Sequence, residues 1–389
     1  MSDARTEGRA QRPRSRPDGP SPEAAILDVS PGEAGRNLAG WLRERGEPAY
    51  RLAQILPRLW KRPVRSWAEA QELPATLREA LDAAWPLGRL RLGARQESTD
   101  GTVKYLWRLV DGEAIESVLI PEGSRRTLCI SSQAGCPLRC AFCATGTMGL
   151  RRNLTAGEIA AQVREAVLEP GGTKPTNIVF MGMGEPLLNW PAVSTALTIL
   201  NDPEGLAIGA RHITISTVGI LPGMAELAKR PEQFRLAISL HAPTSAGRLA
   251  IMPIEKKYPL AQVLTAARKF SRRITFEYVL MDGVNDRDED LAALAKLAKT
   301  SGALVNLLPL HPGGAGAMRR SPTRRMHGFA AALQRRGIEA VLRKSRGLDI
   351  AAACGQLRIA SERGEVAPEP DAHVHEPRRV RGGADGTDP

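Results

Sequence analysis

Residues 129–146 read C-I-S-S-Q-A-G-C-P-L-R-C-A-F-C-A-T-G. Four of the chain's five cysteines fall inside this stretch: Cys129, Cys136, Cys140 and Cys143. The last three form a C-x-x-x-C-x-x-C trio, and Cys129 stands apart, seven residues ahead of it. Three soft thiolates on one tight loop suit a [4Fe–4S] cluster and leave one iron without a protein ligand. A structural zinc site takes four ligands, usually from two C-x-x-C knuckles. The chain has no second knuckle, and His241 and His311 are lone candidates for a fourth zinc ligand.

Outward from this loop, composition bounds the rest. The chain has 389 residues, 42% of them hydrophobic, enough to bury a sizeable core. No apolar run reaches the roughly 18 residues of a membrane-spanning helix. The Arg- and Pro-rich N-terminus lacks the apolar stretch of a secretory signal. These features point to a cytoplasmic protein in a reducing compartment, with no membrane partner. There, clustered cysteines more often bind metal or do chemistry than form structural disulfides. The net charge of +12 fits a polyanionic partner such as nucleic acid, and general solubility accounts for it equally well.

Residues 1–32 and 361–389 are expected to be disordered basic tails, because their Pro/Gly-rich composition cannot bury a core. Residues 33–87 read as a helical module. Leu52, Ile55, Leu56, Leu59 and Trp60 fall on one helix face, and Pro57 inside that pattern should kink or shorten the helix. Residues 88–122 alternate apolar and polar side chains as a small antiparallel sheet, with D-G-E at 111–113 as a turn. Residues 123–360 alternate strands and helices, with strands expected at 177–182, 213–217, 235–240, 274–280 and 304–310. T-A-G-E at 155–158 is a capping box. Repeated βα units imply a parallel sheet, open or curled into a partial barrel, with chemistry at the C-terminal strand ends. M-G-E-P, Ser216, S-L-H and L-H-P all fall at such ends.

With Phe142 just ahead of its third cysteine, the trio resembles the signature of the radical S-adenosylmethionine (SAM) superfamily. M-G-M-G-E-P at 181–186 resembles that superfamily's G-G-E motif. Longer segments resemble the RlmN/Cfr family of radical SAM RNA methyltransferases: C-I-S-S-Q-A-G-C, C-A-T-G-T-M-G-L-R-R-N-L-T, M-G-M-G-E-P-L-L-N, S-L-H-A-P and D-I-A-A-A-C-G-Q-L. The likeness runs over about residues 36–360, and G-E-P-L-L-N leans toward the RlmN branch. It implies an α/β fold: a partial (βα)6 radical SAM barrel with a small helical, RNA-docking N-terminal module and a short β extension.

The resemblance also implies a mechanism. Cys136, Cys140 and Cys143 hold the [4Fe–4S] cluster, and two SAM molecules are used per turnover. One methylates Cys354; the other, cleaved by one electron, yields a radical that removes hydrogen from the S-methyl group. The carbon radical adds to C2 of an adenine and joins RNA to protein. Cys129 then releases the product, ending in a Cys129–Cys354 disulfide. Glu116 matches a proton acceptor near the base. Gly184, Glu185, Ser216, Ser239, Leu240 and His241 match SAM contacts.

Two positions depart from the family pattern. His311 stands where asparagine is usual, which leaves the adenine-side SAM contact open. Glu255 replaces an expected asparagine and would put negative charge beside an RNA backbone. Arg151, Arg152, Arg319, Arg320, Arg324 and Arg325 are candidates to hold phosphates, or simply solvated charges. The implied partners are 23S rRNA in its peptidyl transferase region, transfer RNA next to the anticodon, a one-electron reductant such as flavodoxin and a thiol reductant, with the chain a monomer. Cfr-like methylation of adenine C8, and a zinc-stabilised RNA-binding protein without catalysis, stand as alternatives.

Overall fold

Apolar residues at helical spacing build the first layer. The structure, a computed structural model, describes residues 25–311, 318–353 and 355–357. Helix α2 (Arg51–Leu59) carries the expected stripe and lies between α1 (Pro31–Glu44) and α3 (Ala75–Ala84) in the chain. Ile55, Leu59 and Trp60 are buried, and α2 stops two residues after Pro57. Part of the expected N-terminal tail is packed. Ile26 and Leu27 are wholly buried, and Asp28 Oδ1 accepts from Gly157 N at 2.8 Å, so residues 25–32 belong to the core rather than to a tail. The remainder of both expected tails, and Cys354, lie outside the described residues.

Strands β1 (Leu90–Glu97), β2 (Val103–Leu109) and β3 (Ala114–Glu122) form an antiparallel meander. It continues into β4 (Arg125–Cys129), which is antiparallel to β3. The cysteine loop follows, framed by the two-stranded pair β5 (Gln133–Cys136) and β6 (Gly149–Asn153), with α4 (Ala144–Met148) between them. This small hairpin has no periodicity signal and was not expected from sequence.

The βα alternation then runs α5 (Ala156–Leu168), β7 (Asn177–Phe180), α6 (Trp190–Asn201), β8 (Ile213–Thr217), α7 (Leu221–Leu227) and β9 (Arg235–Ser239). It continues through α8 (Ser245–Ile251), α9 (Leu260–Ala267), β10 (Thr275–Leu280), α10 (Asp288–Ser301), β11 (Leu304–Pro309), α11 (Thr323–Arg335) and β12 (Ala340–Leu342). The Thr155/Glu158 capping box starts α5 as its sequence specifies. Fully buried Arg164 on α5 donates to the carbonyls of Leu59 and Val64, tying the helical module to the βα core.

The main sheet has the order β1-β2-β3-β4-β7-β8-β9-β10-β11-β12, parallel from β4 onward. Among the described residues the two edge strands, β1 and β12, do not pair with each other. Register decides which side chains share a face, because successive residues alternate. Cys129 sits opposite Val118 and beside Val179, and Val179 beside Thr214. Ser216 lies beside Ala237, and Glu277 lies between Ser239 and Asn306. Glu116, Cys129, Ser216, Ser239, Glu277 and Asn306 therefore face the same way. The opposite face packs on helices; Tyr278 stacks on Phe329 of α11 at 6.1 Å.

Candidate active site

The cysteine loop is a buried cluster of thiols. Cys136 and Cys140 are each 8% exposed, and Cys143 is half-buried. Burial, with a smaller contribution from the nearby charge of Cys143, pushes the Cys136 thiol up to about 12 against the lowering bond from the Leu138 backbone. Cys140 is raised in the same way by burial and then by Cys143 and Cys136. Thiols close enough to repel one another as anions, and cut off from water, need a cation to ionise. An iron–sulfur cluster meets that need. Among the described residues no three His, Cys, Asp or Glu side chains close on a single metal ion. A [4Fe–4S] cluster does not require it, since each thiolate binds its own iron.

The strand end after β7 wraps against this loop. Gly184 has φ +97°, and a Cβ there would meet Gln133 Cβ at 2.6 Å. Gln133 Oε1 accepts from Glu185 N at 2.9 Å. The Glu185 carboxylate, expected among the SAM contacts, turns inward. It accepts from Leu187 N at 3.1 Å and Val218 N at 2.9 Å and so straps the end of β7 to that of β8. Burial lifts its pKa to about 7 despite the bonds from Val218 and Leu187. Beside this strand end Ser216 Oγ and Ser239 Oγ lie 3.2 Å apart.

His241 follows β9 with φ +54°, held there because Leu240 N and His241 N both donate to Glu277 O. Its Nδ1 accepts from Val279 N at 3.1 Å, which leaves Nε2 as the ring's donor. Phe142 of the cluster loop meets the ring edge-on at 4.6 Å. Burial, then the charge of Arg248, pushes His241 down to about 3, so it is neutral at ordinary pH. His311 is also buried, pushed down to about 4 by burial and Arg320, and its Nε2 lies 2.6 Å from Ser345 Oγ.

Sequence reading missed Arg248. It is fully buried and pairs with Glu255 at 2.7 Å. It also donates to the carbonyls of Leu240, Val218 and Ser239, three strand-end residues. Glu255 is 4% exposed and also accepts from Leu260 N. The expectation that Glu255 faces an RNA backbone is therefore corrected: it is the internal counter-ion of Arg248.

On the other side of the cluster loop, Lys104 Nζ lies 3.6 Å from Glu116 Oε1 and 3.5 Å from Ala351 O. Glu116 O accepts from Ser131 Oγ at 2.6 Å. Past position 354 the chain returns to α4: Ala144 N donates to Gly355 O at 2.8 Å and Thr145 Oγ1 to Leu357 O at 2.7 Å. The described residues on both sides of Cys354 thus reach β2 and the cluster loop.

The radical SAM superfamily pattern matches residues 130–295. A relative from Gemmatimonas aurantiaca, named "Probable dual-specificity RNA methyltransferase RlmN", is 58% identical over 352 residues, covering 90% of this chain and 98% of the relative. The chain belongs to the RlmN family. A second relative, the "Dual-specificity RNA methyltransferase RlmN" of Anaeromyxobacter dehalogenans, is 46% identical over 85% of this chain and 91% of its own length. Among solved structures, a radical SAM methyltransferase from Sphaerobacter thermophilus matches with TM-score 0.80 and 43% identity, covering 86% of this chain and 99% of that one. RlmN membership makes the chain a SAM-dependent enzyme of the radical SAM class and implies a [4Fe–4S] cluster.

The arginines picked out for RNA divide in this RlmN-family chain. Arg152 is spent on Glu158 and Asp111, which together hold it charged. Arg325 is spent on Asp286 O and Asp288. Arg151, Arg320 and Arg324 remain exposed, and Arg319 reaches Asp282 only at 3.7 Å. No helix among the described residues is long and apolar enough to cross a membrane.

Proposed function

We propose that this chain methylates C2 of an adenine in 23S rRNA, and of an adenine next to the anticodon in transfer RNA, through a methylated Cys354 and a transient RNA–protein crosslink. One observation carries this reading: Glu116 and Cys129 share the sheet face of the SAM-side serines, and the described neighbours of Cys354 pack against that region.

Cys136, Cys140 and Cys143 would hold the cluster, with the iron they leave open available to SAM. When bound, cluster and SAM supply the one-electron step that activates an S-methyl group. The protein's residues do the rest. Gly184 offers backbone to the amino acid end of SAM, Ser216 and Ser239 offer hydroxyls to its ribose, and Leu240, His241 and His311 border the remainder. His241, neutral and with Nε2–H free, donates without adding charge beside a sulfonium. Cys354 accepts the methyl group as a sulfur–carbon bond forms and the donor's bond breaks. Once the methylene joins adenine C2, the odd electron of the adduct would return to the oxidised cluster, and Glu116, oriented by Lys104, accepts the C2 proton. Cys129 then attacks the Cys354 sulfur. The S–S bond forms as the sulfur–carbon bond breaks, and the electron pair and a proton go to the new methyl group. A thiol reductant resets the pair.

The adenine must be unstacked to present C2. Exposed Arg151, Arg320 and Arg324 suit phosphates around such a base. We place the enzyme in the cytoplasm as a monomer served by a one-electron reductant such as flavodoxin. The test is product analysis. Anaerobically purified protein with SAM and reductant should yield 2-methyladenine in 23S rRNA and transfer RNA. An 8-methyl product would indicate Cfr chemistry, and no methyladenine in either RNA would contradict the reading.

A further inference from the structure

The segment that leads to Cys354 is held by the turn that joins β1 to β2. Ser98–Thr102, between β1 and β2, is a tight turn. Ser98 N donates to Thr102 O at 2.8 Å, and Asp100 Oδ1 accepts from Thr102 N at 2.9 Å. Its outward groups meet residues 346–349. Asp349 Oδ1 accepts from Ser98 Oγ at 2.6 Å, and Asp349 Oδ2 accepts from Thr99 N at 3.2 Å. In the reverse direction Asp100 Oδ2 accepts from Gly347 N at 3.1 Å, with Arg346 at 4.0 Å.

The contact is reciprocal: each segment contributes one carboxylate to the other's backbone. Such charge-assisted bonds fix register better than a single pair would. Gly347, at φ +61°, sits against Thr102, where a Cβ would meet Thr102 Cγ2 at 3.0 Å. Lys104, on the strand that leaves the turn, adds its bond to Ala351 O. Beyond position 354, the bond from Ala144 to Gly355 O anchors the other side. Between the Asp349 and Gly355 anchors lie only five residues, so little slack remains.

We propose that the 98–102 turn is a docking site for the Cys354-bearing segment, and that Asp100 and Asp349 are positioning residues that fix where that thiol is presented. The role assigned to Cys354 rests on the function proposed above; the docking does not. Asp349 touches neither cluster nor RNA in this account, and acts through the chain it holds.

The test uses the cluster-loaded, full-length enzyme in three forms: wild type, Asp349→Ala and Asp349→Asn. Amide hydrogen exchange over residues 345–353 reads docking. Mass spectrometry of Cys354 over a single turnover reads methyl acceptance, and iron content and SAM cleavage without RNA report the cluster site. Asp349→Ala should raise exchange in that segment and slow Cys354 methylation by roughly 10- to 100-fold, the scale of an ångström-level misplacement. Iron content and SAM cleavage should stay at wild-type levels, and Asp349→Asn, which keeps an acceptor for Ser98, should recover part of the rate. Unchanged exchange in Asp349→Ala would overturn the docking. Raised exchange with an unchanged methylation rate, or loss of methylation only together with iron, would overturn the positioning role. A wild-type enzyme that never carries S-methyl on Cys354 would instead refute the methyl-cysteine mechanism, with exchange still deciding the docking.

Discussion

Arg248 and Glu255 form an ion pair at 2.7 Å in the protein interior, with side chains 0% and 4% exposed. The pair is the hub beneath the proposed SAM site, because the same guanidinium holds the carbonyls of Val218, Ser239 and Leu240. Removing one partner strands a buried charge, at a cost of about 3–5 kcal/mol. Arg248→Met should therefore lower the melting midpoint sharply and weaken SAM binding. Arg248→Met combined with Glu255→Leu should recover part of the stability, since neither charge is then left alone. Thermal denaturation of wild type, the Arg248→Met and Glu255→Leu single variants and the double variant checks this, and additive losses in the double variant would refute it.

The cysteines should separate into two classes by iron content. Cys136→Ala, Cys140→Ala and Cys143→Ala should each lose the cluster and purify colourless. Cys129→Ala should keep about four iron per chain and its brown colour. Iron analysis after anaerobic purification distinguishes this from a site that uses all four thiols.

Glu277 offers a pH signature. Burial raises its carboxyl from the ordinary 4.5 to about 7 in the folded chain, against the lowering bond from Asn306. The folded state thus prefers the protonated acid. Its penalty is absent at low pH, grows as pH rises from 4.5 to 7, and levels off above that near about 3 kcal/mol. Glu277→Gln keeps an acceptor for Asn306 and removes the charge. It should be more stable than wild type at pH 8 and indistinguishable from it near pH 4. Denaturation at the two pH values reads this directly, and an equal difference at both would refute it.

Much of this arrangement was legible because it is written in local periodicity. The alternation in V-K-Y-L-W-R-L, the βα repeats and the Thr155/Glu158 capping box each specify their own element. The β5–β6 hairpin escaped notice because it is held by close approach rather than by pattern. A Cβ on Gly135 would fall 1.9 Å from Gly149 O, and neither strand alternates. Arg248 escaped because a buried arginine looks like any surface arginine until its partners, seven or more residues away, close around it. Glu277 did leave a trace, a charge inside the apolar strand T-F-E-Y-V-L.

In the proposed mechanism two cysteines outside the cluster trio, Cys129 and Cys354, carry out the reaction. Mass spectrometry of the protein isolated from cells tests it most directly, comparing wild type with Cys129→Ala. S-methylation of Cys354 is expected in the wild type, and an RNA fragment covalently attached to Cys354 in the variant. Unmodified Cys354 in the wild type, together with no adduct in Cys129→Ala, would contradict it.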